Sequence, residues 1–185
     1  MSAETEAVKT VAGLMALAAR TAPKAAGLDS IEIEIVTGKE QDKIGDKMIH
    51  IAAGTGMDFF RVNGEQVKAS DATILIGITG QKALGLNCGG CGYTSCAGMT
   101  KACAAAKANK TDYKGPNCVL KITDLGIAVG SAVKTAGIHN VDNRVMYSAG
   151  VAAQKLGMFR ECSIVYGIPL KASGRNIYFA AAIKH

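Results

Sequence analysis

The feature that most constrains this chain is a glycine-rich segment that concentrates its cysteines. The segment reads NCGGCGYTSCAG, and it contains Cys88, Cys91 and Cys96. Cys118 follows after 21 intervening residues, and five of the six cysteines fall between residues 88 and 118. Thiolates are soft ligands that suit iron–sulfur clusters or zinc. This concentration in one segment therefore indicates metal or cluster ligation rather than a disulfide framework.

The residues between the cysteines favour an iron–sulfur cluster. A [4Fe–4S] cluster needs four thiolates that converge from several directions. Gly89, Gly90 and Gly92 allow positive φ in a tight loop, and their N–H groups can hydrogen-bond to cluster sulfurs. Thr94 or Ser95 can cap a helix that begins near the third cysteine, so that the positive end of this helix faces an anionic cluster.

Two questions about the ligands stay open at this point. Zinc sites usually combine two Cys-x2-Cys knuckles, or one knuckle with a pair of histidines. Only one knuckle is present here, so the spacing favours a cluster over zinc. Cys118 lies in a KGPNCV turn and is the expected fourth ligand. Cys103 follows Cys96 on the same predicted helix, about 10 Å further along its axis, which is too far to share a cluster easily. With Cys118 as the fourth ligand, Cys103 and Cys162 are ordinary buried thiols.

Hydropathy patterns around this segment predict an α+β fold in which helices flank a mixed sheet. SIEIEIVT alternates as a half-buried strand does, and TILIGI is a continuous apolar run typical of a central strand. We expect a single domain over residues 1–185 with the cysteine-rich segment, 86–118, inserted. The predicted helices are 6–20, 40–53, 118–136 and 142–156, the last capped by Asp142 or Asn143, and the predicted strands are 30–37, 73–78, 162–167 and 176–181.

Composition excludes several classes of protein. Hydrophobic residues make up 49% and charged residues 19%, which is globular and argues against intrinsic disorder. No apolar run is long enough to span a membrane, and the acidic, polar amino terminus MSAETEAVKT predicts a cytoplasmic protein. The net charge of +6 is scattered and aromatics are only 5%, so nucleic-acid binding is not expected. Walker, GxGxxG, HExxH and GxSxG motifs are absent.

The cysteine segment also resembles a known module. The run CGGCGYTSC, the Ala-rich stretch after it and a later cysteine resemble the [4Fe–4S] module of the Rnf complex B subunit and of the corrinoid iron–sulfur protein large subunit. In those proteins the last gap is typically shorter. GPNCVLKITDLGIAVGSAVKTAG and YGIPLKASGRNIYF resemble a family of uncharacterised ferredoxin domain-containing proteins of bacteria and archaea. The resemblance implies one [4Fe–4S] cluster.

A second resemblance concerns the scaffold. AARTAPKAAGLDSIEIEIVTG and VMYSAGVAAQKLGM are similar to segments of nitroreductase-type flavoproteins. This resemblance implies a nitroreductase-like fold, a homodimer and FMN at the dimer interface. The Arg-rich start that grips the FMN phosphate in that family has no counterpart here. Arg20, Lys24, Lys171 and Arg175 are the candidate replacements for it.

The functional expectation is an iron–sulfur redox protein that passes single electrons to or from a flavin or a partner protein. With FMN bound it would be an oxidoreductase, because a flavin couples two-electron chemistry to one-electron transfers. Two alternatives are a non-enzymatic cluster-binding sensor or scaffold, and a zinc-stabilised interaction module.

Overall fold

The fold is organised around one fully buried strand. The structure is a computed structural model, and it describes residues 2–106 and 111–179. Four strands form one sheet in the order β1-β2-β4-β3, with antiparallel pairing throughout the described residues. The TILIGI run lies in β2, which has a neighbour on each side. The strands are β1 (Ile31–Val36), β2 (Ala72–Ile78), β3 (Asp142–Asn143) and β4 (Ile164–Lys171).

Helices cover both faces of this sheet, which is why β2 is apolar on both sides. One face, which includes Ile74 and Ile76, packs on α1 and α5, and the other, which includes Leu75, packs on α2, α3 and α6. The helix α4 begins within the cysteine segment. The helices are α1 (Ala3–Thr21), α2 (Gly38–Thr55), α3 (Asp58–Ala69), α4 (Cys96–Ala105), α5 (Val119–Ile138) and α6 (Tyr147–Lys155).

Two contacts need glycine because backbone meets backbone. A Cβ on Gly150 of α6 would lie 1.7 Å from the carbonyl oxygen of Val165 in β4. A Cβ on Gly64 of α3 would lie 2.7 Å from the carbonyl oxygen of Gly45 in α2. These two glycines therefore set how closely the second helical layer packs.

The α+β prediction is confirmed, but the described strands form an antiparallel sheet and not a mixed one. The reason is α3, which the sequence patterns did not predict. A single helix between β1 and β2 would return the chain to the start of β1 and favour a parallel pair. The antiparallel hairpin of α2 and α3 instead returns it to the end of β1, so that β2 runs back along it.

Two other boundaries differ from the prediction. Residues 142–143 form β3 and do not cap a helix, because Asp142 and Asn143 pair with Lys171 and Leu170. The predicted strand at 176–181 is wrong for residues 176–179, because residue 176 lies in no helix or strand and residues 177–179 form a turn. Residues 180–181 lie outside the described part of the chain. Among the described helices, none combines the length and the apolar character needed to cross a membrane.

Candidate metal centre

Two of the three loop glycines adopt the positive φ that the sequence predicts, and Gly90 does not. Gly89 has φ 73° and Gly92 has φ 86°, both in the left-handed region. The N–H of Gly92 donates to the carbonyl of Gly89 at 2.9 Å, which closes a tight turn around Cys91. Cys88 is exposed and Cys91 is half-buried. The loop therefore presents its first two thiols at or near the surface.

The third cysteine begins a helix. Cys96 is the first residue of α4, and Ser95 caps the helix by accepting a hydrogen bond from the N–H of Gly98 at 3.1 Å. Asn87 holds the same position from the other side of the loop. Its Oδ1 accepts from the Cys96 N–H at 2.8 Å, and its own N–H donates to Cys96 Sγ at 3.3 Å. A backbone donor on sulfur is the contact expected to stabilise a thiolate ligand.

The predicted fourth ligand also stands at a helix start. Cys118 is buried and precedes Val119 as the N-cap residue of α5. Its N–H donates to the carbonyl of Gly80, just beyond β2, at 2.8 Å. The positive ends of two helices thus begin at Cys96 and Cys118, which suits an anionic ligand at both positions.

Packing places the glycine loop beside this second helix start. A Cβ on Gly90 would meet Val119 Cγ1 at 2.6 Å and Cys88 Sγ at 3.8 Å. The loop between the first two cysteines therefore touches the residue next to Cys118, although 26 residues separate Cys118 from Cys91 in the order of the chain.

Cys103 lies nearer to the loop than its position along α4 suggests. Its thiol donates to the carbonyl of Pro116 at 3.3 Å, two residues before Cys118. Burial raises the pKa of Cys103, and the charge of Cys91 raises that pKa further, so the two thiols interact electrostatically. Cys162 lies apart, buried in the core cluster below α2, α3 and α6. The choice of Cys118 over Cys103 stays a prediction.

The thiols are not grouped as a finished site. Within residues 2–106 and 111–179, no three cysteine, histidine or acidic side chains stand close enough together to hold a metal ion. The donor chemistry and the loop conformation fit a cluster, and the backbone brings the loop and the α5 start side by side.

The basic residues predicted for an FMN phosphate are engaged with protein groups. Arg20 Nη1 lies 2.5 Å from Asp29 Oδ2 and 2.6 Å from the carbonyl oxygen of Ile31. Lys24 Nζ donates to carbonyls at the end of α1, including that of Ala22 at 2.8 Å. Both cations therefore stabilise the turn between α1 and β1.

The other two basic residues belong to the opposite end of the sheet. Lys171 Nζ lies 2.8 Å from Asp71 Oδ1, at the end where β4 finishes and β2 begins. Ile31, by contrast, pairs with Ile78 at the far end of β2, so the length of that strand, roughly 20 Å, separates the two groups. Arg175 follows β4 on the Lys171 side. Within one chain the four residues do not form a single phosphate site.

Sequence reasoning missed two buried charges on α5. Lys121 and Asp124 are both buried, and both reach the segment between α1 and β1. Asp124 Oδ1 accepts from the N–H of Ala25 at 2.9 Å, and Lys121 Nζ contacts Ser30 Oγ. Their spacing of three residues on the apolar face of a helix is the signal that could have shown them.

Comparison with solved structures defines the class of fold. The chain is similar to a nitroreductase from Desulfitobacterium hafniense with bound FMN, at 13% identity and TM-score 0.57, over 95% of this chain and 92% of that one. It is also similar to nitroreductase A from Vibrio parahaemolyticus, at 14% identity and TM-score 0.54, over 91% of this chain. It spans 60% of that enzyme's length. Similarity at this level shows a nitroreductase-like α+β fold.

Sequence comparison then gives the family. Residues 114–180 match the family described as "uncharacterized protein containing a ferredoxin domain" (DUF2148). An uncharacterized protein of Archaeoglobus fulgidus is 45% identical over 179 residues, which is 97% of this chain and 94% of that protein. The chain belongs to this family of ferredoxin domain-containing proteins. The matched region includes Cys118 and Cys162 and begins after the glycine loop.

Proposed function

We propose that this protein binds one [4Fe–4S] cluster through Cys88, Cys91, Cys96 and Cys118 and transfers single electrons. The observation that carries this proposal is the packing of Gly90 against Val119, which sets the loop beside the α5 start. The ferredoxin domain in the family description supports it independently. When bound, such a cluster supplies a one-electron carrier.

Residues of the chain would hold and tune the group in distinct ways. The starts of α4 and α5 direct positive helix ends toward it. The N–H of Asn87 already donates to Cys96 Sγ, and backbone donors of this kind tune a ligand sulfur. Four thiolates around a [4Fe–4S]²⁺ core carry a charge of about −2, so a chain of formal charge +6 stays positive and suited to an acidic redox partner.

The second part of the proposal is that the protein also binds FMN. The similarity to a nitroreductase with bound FMN supports it. With FMN the protein would act as an oxidoreductase, and the homodimer implied by the nitroreductase resemblance and the cytoplasmic location expected from the amino terminus belong to the same proposal. Arg20, Lys24 and Lys171 are paired as described, so they do not fit an FMN phosphate within one chain, and we derive no flavin step from them.

The test is metal, sulfide and flavin analysis of protein purified without oxygen. We expect about four iron and four sulfide per chain, with broad absorption near 400 nm that bleaches on reduction. Cys118→Ala should lose this iron, whereas Cys103→Ala should keep it. Cys162→Ala is the matched control, because it removes a buried thiol outside the loop.

Each other outcome has a definite meaning. Iron that survives in Cys118→Ala and is lost in Cys103→Ala would make Cys103 the fourth ligand. One zinc per chain and no iron would replace the redox proposal by a zinc-stabilised module. Flavin released by acid would favour the oxidoreductase, and iron without flavin would favour an electron carrier or a cluster-binding sensor.

A further inference from the structure

Two charged residues near the start of α5 are buried without an ion-pair partner. Lys121 is 4% exposed and Asp124 is 3% exposed. None of the ion pairs among the described residues involves either of them. The hydrogen-bond partners of Lys121 Nζ in the same part of the chain are neutral, namely Ser30 Oγ and, at 3.4 Å, the carbonyl of Leu28. Because a charge inside a protein is costly unless it is compensated, this buried ammonium calls for an anion nearby.

Asp124 does not supply that anion at contact distance. Its Oδ1 accepts from the N–H of Ala25 at 2.9 Å, and its buried Oδ2 has no hydrogen-bond partner among the residues that the structure describes. The two side chains meet different parts of the segment between α1 and β1, the acid at residue 25 and the lysine at residues 28–30. The positive charge is therefore the one next to β1.

The positive charge is also the one on the side of the candidate metal centre. Ser30, which Lys121 contacts, accepts through its carbonyl from the N–H of Thr79 at 3.2 Å. The next residue, Gly80, accepts from the N–H of Cys118 at 2.8 Å. Along α5 the lysine lies about 4.5 Å beyond the cysteine, and the acidic residue about 9 Å beyond it. The ammonium thus adds to the positive helix end at the predicted fourth ligand.

We propose that Lys121 raises the reduction potential of the cluster at the candidate metal centre. This inference rests on the proposed cluster at Cys118 and adds the residue that tunes it. Reduction by a one-electron donor adds one electron and no proton, so the charge of the centre changes from about −2 to about −3. A fixed cation stabilises the more negative state more strongly and favours the reduced form. Asp124, a fixed anion further away, opposes this effect by a smaller amount.

A potentiometric titration of the protein purified without oxygen tests the inference, with a reduced viologen as the one-electron donor and absorbance at about 400 nm as the readout. Lys121→Met keeps a long unbranched side chain and removes the charge. At a fixed potential its ratio of reduced to oxidised cluster should fall about tenfold, which is a midpoint lower by about 59 mV. Asp124→Asn should shift the midpoint in the opposite direction by a smaller amount, because an amide oxygen can still accept from the N–H of Ala25.

Two control variants separate the charge from the local structure. Ser30→Ala removes a hydrogen-bond partner of the ammonium and leaves the ammonium in place, so the ratio should change less than about twofold. Lys134→Met removes an exposed charge about 20 Å further along α5, where salt screens it, and should leave the ratio unchanged.

Thermal melts of the metal-free protein give a second readout. Lys121→Met should melt at the same temperature as the unaltered protein or at a higher one, because it removes an uncompensated buried charge. Its former partners Leu28 and Ser30 are not buried, so water can replace the lost contacts. A lower melting temperature together with an unmoved midpoint would make Lys121 a structural anchor and overturn the inference.

The remaining outcomes are equally definite. The inference is overturned by a midpoint that Lys121→Met leaves unmoved, by a shift of the same sign in Asp124→Asn, or by an equal shift in Ser30→Ala. Iron and sulfide per chain report separately on the proposed function. Normal iron with an unmoved midpoint overturns this inference alone, whereas an absence of iron from the unaltered protein overturns the proposed function together with it.

Discussion

The packing of Gly90 against the α5 start gives the sharpest prediction about the candidate centre. In Gly90→Ala, the added Cβ would lie 2.6 Å from Val119 Cγ1, whereas ordinary contact begins at 3.4 Å. With Val119 in its present rotamer, the loop and the helix start must therefore separate by about 0.8 Å. Metal–ligand distances tolerate about 0.2 Å, so the shift is about four times what a formed site accepts.

We expect Gly90→Ala to bind less than half of the iron of the unaltered protein. The fold itself should be little affected, because Gly90 is exposed and surface substitutions usually change the free energy of unfolding by no more than about 0.5 kcal/mol. Its melting temperature without metal should therefore stay within about 2 °C. Iron and sulfide per chain, measured beside a thermal melt, separate the two effects.

A second substitution makes the reasoning refutable. Val119→Ala removes the Cγ1 atom that Gly90→Ala would strike, so the double variant should recover most of the iron. Gly54→Ala is the matched control, since it adds the same methyl group in α2, where no heavy atom lies within 4 Å. Full iron in Gly90→Ala, or no recovery in the double variant, would refute the idea that the loop and α5 share one site.

Three further predictions concern the stability of the fold. Gly150→Ala places a Cβ 1.7 Å from the carbonyl oxygen of Val165. This clash should destabilise the fold by more than ordinary overpacking, which costs about 1–3 kcal/mol. A thermal melt should therefore show a melting temperature lower by at least about 6 °C. The buried Gln41 Nε2 donates to the carbonyls of Val67 and Ser70 at 2.8 Å and 2.7 Å. Gln41→Met leaves both carbonyls without a donor, so denaturant unfolding should show a free energy of unfolding lower by about 2–4 kcal/mol. Burial and the charge of Glu32 raise the pKa of Cys162 from 9.0 to about 12. Since the fold favours the protonated thiol, the free energy of unfolding should fall as pH rises from about 9 toward 12. In Cys162→Ser it should fall less steeply over the same pH range. Equal slopes in the two proteins would contradict a contribution from the Cys162 thiol.

The sequence predicted the elements whose buried faces are mostly apolar. β1 and β2 follow from alternation and from an unbroken apolar run, and α5 from a regular stripe. The missed helix α3 buries Phe60, Asn63, Gly64 and Val67, which is helical spacing with a polar residue and a glycine at the centre. A hydropathy pattern does not mark Asn63 and Gly64 as buried, because they contribute a hydrogen bond and a close backbone approach and not apolar surface.

The buried positions of α3 are explained by contacts that only the structure shows. Asn63 Nδ2 donates to Ser148 Oγ of α6 at 2.9 Å, and Gly64 lets the α2 backbone approach. Missing this helix led directly to the wrong expectation of a mixed sheet. Pairing between charges was equally inaccessible from the sequence, which cannot tell that Arg20 meets Asp29.

The set of ligand cysteines stays a prediction, and the spatial relations of these cysteines could not be obtained from the sequence. Distance along α4 separates Cys103 from Cys96, yet it does not limit the distance from Cys103 to Cys91, because the loop turns back at Gly92. The thiol of Cys103 accordingly contacts the turn that ends at Cys118, through the carbonyl of Pro116. The helical rise predicts the distance between two residues of the same helix. It does not predict distances across a loop that contains two glycines in the left-handed region.

The four proposed ligands differ in how firmly the chain holds them, and this difference bears on how a cluster would be acquired. Cys118 is buried and tied through its N–H to Gly80, whose own N–H donates to the buried Ser163 Oγ at 3.1 Å. Cys88 and Cys91 stand on a loop whose described hydrogen bonds are few and local. The backbone of Cys118 is thus fixed to the sheet before any metal arrives, whereas Cys88 and Cys91 are held by the loop alone. Metal binding need not organise the core, because β2 and its covering helices bury their apolar faces without the cysteine segment.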